Sequence, residues 1–303
     1  MNKTHLIVLI SFLLSLLTFK LYAQVEPLDI LINEILPDPK IGSVEFVELY
    51  NRSEKIINLQ TVQIARVNDK DSLISIRPLA TKETLFYPKQ YMVLSKDGDL
   101  VKDHYYTENP MAFINVTAMP QLPNAGGSIA IISGQTVIDR LDYHRAMHHP
   151  LVKDQKGVSL ERQHFDKDTN APGNFTSAAA SVGYATPGYQ NSQQGVMQED
   201  DIWLSSKTFS PDYDGFEDLL EINYRFQQSG NMVNVYIYNE QGNLVKNLYR
   251  NHLLGTGGTL FWDGISDADQ RLPVGIYVVY MEVYNATDGI KKYRKSCVLA
   301  TKF

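Results

Sequence analysis

ILINEILPDPKIGSVEFVELYN, residues 30–51, is two strand-like runs around a turn. Ile30–Ile35 is apolar and β-branched, a composition that fits a pleated, half-buried surface. Pro37-Asp38-Pro39-Lys40-Ile41-Gly42 cannot continue that strand: proline lacks the N–H, and aspartate and glycine favour turns. Val44–Tyr50 is strand-like again, and Asn51-Arg52-Ser53 closes it with turn chemistry.

The same grammar continues outward. Ile56–Leu59, Val62–Val67, Leu85–Tyr87 and Tyr91–Leu94 are short β-runs separated by polar or proline-containing loops. Ser128–Ile132 and Thr136–Leu141 form a hairpin turning at Ser133-Gly134-Gln135. No helix-period pattern of useful length appears, so the spacing predicts a sandwich or barrel. Residues 144–192 are mostly irregular around one strand-like run, Gly157–Arg162. The polar stretch 193–201 reads as a linker. A second β-domain follows at 202–303, where Val233, Val235 and Ile237 alternate with Asn234, Tyr236 and Tyr238. Glu240-Gln241-Gly242-Asn243 and Thr287-Asp288-Gly289 are its hairpin turns.

At 303 residues the chain can hold two separate cores. A net charge of −6 argues against nucleic acid as a partner, because phosphate binding favours a basic face. Residues 1–23 read as a cleaved signal peptide: Lys3, the apolar run Leu6–Phe19, then Leu21-Tyr22-Ala23 before Gln24. No later run is apolar and long enough for a transmembrane span in the mature chain. Cys297 is the single cysteine, so no internal disulfide can form, and a buried thiol is the expectation. Lys291-Lys292-Tyr293-Arg294-Lys295 reads as a solvated edge strand.

Two resemblances fit this outline. Asn33-Glu34-Ile35 followed by Glu45-Phe46-Val47-Glu48-Leu49-Tyr50-Asn51 resembles the start of the bacterial lamin-tail domain. The likeness continues through Tyr91-Met92-Val93-Leu94-Ser95, Pro123–Ile129 and Ile138–Tyr143. It implies an immunoglobulin-like β-sandwich over 24–192, with the irregular stretch 144–192 wrapped over it and Tyr184 and Tyr189 as packing anchors. The family's usual Gly-Trp is replaced here by Thr61-Val62, so other side chains must fill that space. The second domain resembles a FlgD-like immunoglobulin-type module, carried by Phe209–Asp218, Val235–Asn239, Trp262-Asp263-Gly264 and Leu272–Tyr277. Similar modules end exported proteins of gram-negative bacteria, some as sorting signals for type IX secretion. The expected fold class is therefore all-β, two immunoglobulin-like sandwiches in tandem after a cleaved signal peptide.

The chemistry is sparse. Asp212, Asp214 and Asp218 are spaced like ligands for a structural calcium ion, with Gly215 permitting a tight turn, although EF-hand spacing fails. Glu34, Glu45 and Glu48 do not read as an acid–base pair, since Glu45 and Glu48 lie three apart in a strand and face opposite sides. His144, His148 and His149 near Asp142 have partial metal-site spacing, but Pro150 and the missing HExxH glutamate oppose it. Tyr105-Tyr106 and Tyr236/Tyr238 are candidate sugar platforms. No nucleophile elbow or phosphate loop occurs. The expectation is an exported, non-catalytic protein that binds or tethers a protein or glycan at the cell envelope, in the periplasm, on the outer-membrane surface or outside the cell. A carbohydrate-binding accessory module is the alternative, and a metal-dependent hydrolase around His144–His149 comes third.

Overall fold

The computed structural model describes residues 24–195, 200–285 and 289–301. The proposed leader, part of the linker and Thr287-Asp288 of the last hairpin turn lie outside the described residues. The described chain is all-β and forms two sandwiches.

The first sandwich starts with β1 (Ile30–Leu36) and β2 (Phe46–Asn51), paired antiparallel because the turn between them is too short for a parallel crossover. Then come β3 (Ile57–Asn58), β4 (Val62–Val67), β5 (Leu73–Pro78), β6 (Leu85–Phe86) and β7 (Tyr91–Ser95). A five-residue helix, α1 (Gly98–Lys102), is capped by the Asp97 carboxylate, which accepts from Asp99 N and Leu100 N. β8 (Phe113–Asn115), β9 (Gly126–Ser133), β10 (Thr136–His144), β11 (Leu160–Arg162) and β12 (Phe175–Ser177) complete the unit. One sheet has six strands in the order β12-β11-β1-β2-β7-β8, and the other has four, β10-β9-β4-β5. Ile32, Ile35, Val47, Leu49, Ile64, Ile129 and Ile131 fill the space between them. Val62, in the place of the missing Trp, is fully buried in that same cluster with Leu59 and Phe86.

Every residue of β1 is buried, so the six-stranded sheet is covered on both faces. The outer cover is a strap in the segment after β11, residues 184–193. Only Leu160–Arg162 of the Gly157–Arg162 run is strand, because the preceding backbone turns to bond the strap: Ser159 N donates to Tyr184 O.

The second sandwich comprises β13 (Asp201–Leu204), β14 (Thr208–Phe209), β15 (Leu220–Arg225), β16 (Met232–Asn239), β17 (Leu244–Leu253), β18 (Gly257–Trp262), β19 (Gly275–Tyr284) and β20 (Ile290–Leu299). A three-stranded sheet, β13-β15-β18, faces a five-stranded sheet, β14-β20-β19-β16-β17. The sequence motifs of this domain meet at one place. Trp262 lies 5.2 Å from Phe209 and 5.4 Å from Tyr277, ring centre to ring centre. Its indole N–H donates to Ile265 O, and Tyr277 Oη donates to Pro273 O at 2.7 Å. Widely separated motifs thus pack one aromatic centre and satisfy its polar tips. β14 pairs with β20 only at Thr208–Phe209, leaving the lysine-rich half of β20 as an edge.

The polar stretch after Tyr189 is no loose tether. Asn191 and Gln193 are buried, and Ser192 O accepts Thr256 N at 2.8 Å from the second domain. Gln193 Nε2 donates to Leu254 O at 3.2 Å, and Gly230 N donates to Gln193 Oε1 at 3.1 Å. A Cβ on Gly255 would lie 2.6 Å from Ser192 O, so this crossing needs glycine.

Candidate functional site

Period-two alternation divides β16 and β19 into a buried and an open face. Val233, Val235, Ile237, Val279, Met281 and Val283 point into the core. The open face carries Tyr236, Tyr238, Ile276, Val278 and Tyr280, with Ile276 52% exposed. Tyr280 is the hub: Tyr236 and Tyr238 each lie 6.2 Å from it, and the Arg294 guanidinium stands 5.5 Å from its ring. Beside it is a shallow concavity of about 610 Å³ bordered by Tyr238, Asn239, Glu240, Ile276 and Arg294. This is an aromatic, partly apolar surface with a polar rim, the composition of a contact patch. Of the other tyrosine pair, Tyr105 is buried and donates to Gly157 O, while Tyr106 is exposed and meets Tyr189 edge-on.

Asp212, Asp214 and Asp218 do converge: one carboxylate oxygen from each lies within 4.8 Å of the others. That spread suits oxygen ligands at about 2.3–2.6 Å around a calcium ion. The carboxylates already organise the loop. Asp218 accepts Tyr213 N at 2.6 Å and Gly215 N at 2.8 Å, and Asp214 accepts Phe216 N at 2.9 Å. The donor chemistry therefore fits a hard cation, and the loop's turns are bonded by the same oxygens.

The structure assembles a third group that sequence reading missed. Glu34 on β1 stands opposite Glu48 on β2 and Glu161 on β11, so three glutamates form a row across adjacent strands. All three are fully buried. A register irregularity between Ile32 and Glu34 lets Asn33 join them: Asn33 Nδ2 donates to Glu48 Oε1 at 2.8 Å and to Asn191 Oδ1 at 2.7 Å. The strap supplies most of the remaining donors. Thr186 N and Ser159 Oγ donate to Glu34 Oε1, Gly188 N to Glu48 Oε2, and Ser192 Oγ and Gln193 N to Glu161 Oε2. Burial and the facing Glu161 push the Glu34 carboxyl up to about 8. Burial and Glu34 drive Glu48 well above the ordinary range, and burial raises Glu161. Glu45 stands apart, half-buried just before β2. Sequence reading weighed Glu34 and Glu48 only with Glu45, set the three aside as an acid–base pair, and had no way to reach Glu161, more than a hundred residues on. The available signal was a glutamate inside each of three strand-like runs.

The remaining candidates are structural. His148 Nδ1 and Ser177 Oγ are 2.9 Å apart, and burial presses its imidazole down to about 4. His144 caps the following turn by accepting Ala146 N, so the two rings do different local jobs. Cys297 is buried and its thiol is pushed up to about 12 by burial, which makes it a small core residue. Arg162, wholly buried, pairs with Asp139 at 2.9 Å, and Thr169 Oγ1 donates to the same carboxylate at 2.5 Å.

Among known proteins, residues 204–299 match the CHU_C type IX secretion signal domain. No curated protein sequence matches the chain. Among solved structures, the periplasmic chaperone SfaE is 10% identical over 34% of this chain and 58% of its own, with a TM-score of 0.25. Dimeric latent PorU of Porphyromonas gingivalis is 12% identical over 86% of this chain and 18% of its own, with a TM-score of 0.27. PorZ, a surface component of the type IX secretion system of the same bacterium, is 14% identical over 88% and 38%, with a TM-score of 0.24. The chain thus spans little over half of SfaE and smaller parts of the other two, and similarities this low carry no argument. The match over the second sandwich does: this is an exported protein of the cell surface or envelope, whose residues 204–299 are similar to a type IX secretion signal domain.

Proposed function

We infer that this chain is a non-catalytic surface protein whose second sandwich directs its export and whose first sandwich makes the contact it is exported for. The carrying observation is the match of residues 204–299 to the secretion signal domain. The motif residues of that domain serve packing: Phe209, Trp262 and Tyr277 are buried, leaving the open face of β16, β19 and β20 for recognition. The reading of the first sandwich as a lamin-tail-like binding domain, and of the second as FlgD-like, rests on the sequence resemblances. A non-catalytic role is supported by the way titratable groups are used. The glutamate row, Arg162, Asp139 and Cys297 are buried and bonded rather than presented to a cleft.

The test is to produce the full chain in a bacterium with a working type IX system and in a derivative with that system disabled. Protease-accessible protein at the surface of the first, and retention inside the second, is the expected result. Equal surface exposure in both would refute the export role. A second reading, carbohydrate binding, is favoured by the concavity beside Tyr238 and Arg294. A glycan array hit abolished by Tyr238→Ala supports it, and no reproducible hit removes it.

A further inference from the structure

Three carboxylates in register on one buried sheet face, with no cation among them, are an unusual thing to fold around. Like charges directly opposite on adjacent strands repel, and burial removes the water that would screen them. Among the described residues, the hydrogen-bond partners of Glu34, Glu48 and Glu161 are hydroxyls, amides and Asn33, without a lysine, arginine or histidine. The other ionisable groups near the row are phenols: Tyr91 on β7, Tyr105 after α1 and Tyr189 on the strap. Asp38 and the Lys40 ammonium, 4.4 Å from the Tyr105 ring, lie beyond Tyr105, and Glu108 lies beside Tyr189. Arg162, next to Glu161, points to the opposite face and is held by Asp139 and by Ile32 O.

The geometry calls for a proton on the row. Thr186 Oγ1 is 2.7 Å from Glu161 Oε1 and 3.3 Å from Glu34 Oε2. A hydroxyl has one proton to donate, so with both contacts made one of the two carboxyls must be protonated and donate back, a relay that links Glu34, Thr186 and Glu161. Glu34 stands between the other two, so its ionisation is opposed from both sides.

This relay closes the strap. Residues 184–193 are bonded to the row at Thr186, Gly188, Ser192 and Gln193, and the last two also hold the second sandwich through Thr256, Leu254 and Gly230. We propose that the Glu34–Glu48–Glu161 row is a proton-dependent clasp: protonated, it locks the strap and couples the two sandwiches, and deprotonated, it releases both. Burial holds the central carboxyl above its ordinary value, up to about 8. The closed clasp is therefore favoured at low pH and weakened as pH rises from about 4.5 towards 8.

Amide hydrogen exchange on the folded protein, corrected for the intrinsic pH dependence of exchange, tests this at Thr186, Gly188 and Gln193. Between pH 6 and pH 9 their protection is expected to fall by about tenfold or more. Glu34→Gln, which keeps the shape and removes the titration, is expected to hold protection within about threefold over that range. A fall of the same size in native protein and variant overturns the clasp. If Glu34→Gln does not fold, the native side-chain carboxyl carbon of Glu34 decides by NMR titration. A midpoint well above the ordinary carboxylate range supports the proposal, and full ionisation by pH 6 overturns it.

Discussion

Arg162 shows how much one side chain can hold. Its guanidinium is completely buried, donates to Ile32 O and Asp139, and receives Thr169 as a further partner. Removing one partner of such a pair strands a charge in low dielectric. Asp139→Ala is expected to cost about 3–5 kcal/mol in urea-denaturation stability. Arg162→Met together with Asp139→Leu should recover much of that, because no charge is then left buried. Cys297 gives a contrasting prediction. With its thiol buried and pushed up to about 12, it should resist alkylation at pH 8 in the folded protein and react promptly in denaturant. Rapid labelling without denaturant would mean that β20 leaves the sheet easily.

Elements depend on a few local choices. The loop before β15 owes its shape to Asp218, whose two oxygens accept the amides of Tyr213 and Gly215. Asp218→Ala frees both donors at an exposed site, so about 1 kcal/mol of destabilisation is expected, with faster exchange confined to residues 212–218. The strap owes its path to Gly188, at φ +89° with Thr107 Oγ1 2.7 Å from where a Cβ would stand. β-Strands were legible because alternation survives wherever one face is wet. From Val233 to Ile237, β16 alternates buried and half-buried in register with its hydrophobic pattern. The extension was legible only in part, since its strand is three residues long and its bonds run to distant segments.

At the scale of the molecule, two sandwiches are joined by bonded backbone. Gln193→Ala removes a donor to Leu254 O and an acceptor for Gly230 N, worth about 1–3 kcal/mol of coupling. Calorimetry is expected to show two resolved transitions in the variant where the native protein shows more nearly one. Stability should also have a maximum in mildly acidic solution. His148, held down to about 4 by burial, contributes stability above its ordinary 6.5 that is lost as pH falls through about 4. Glu34, held up to about 8, contributes stability below its ordinary 4.5 that is lost as pH rises through about 8. Denaturation midpoints measured from pH 4 to pH 9 check both limbs, and Glu34→Gln should flatten the alkaline one.

From sequence alone came the all-β class, the two sandwiches and the ligand-like spacing of Asp212, Asp214 and Asp218. Alternation, turn chemistry and short-range spacing are local, and each is written in a few consecutive residues. The tertiary structure decided that Glu34, Glu48 and Glu161 share one dry face, and that the polar stretch at 191–193 is buried rather than free. Register across β11, β1 and β2 brings residues more than a hundred positions apart into line, and no local pattern encodes that. The strap then covers them because buried carboxyl groups must find donors, and its amides and hydroxyls are the donors within reach.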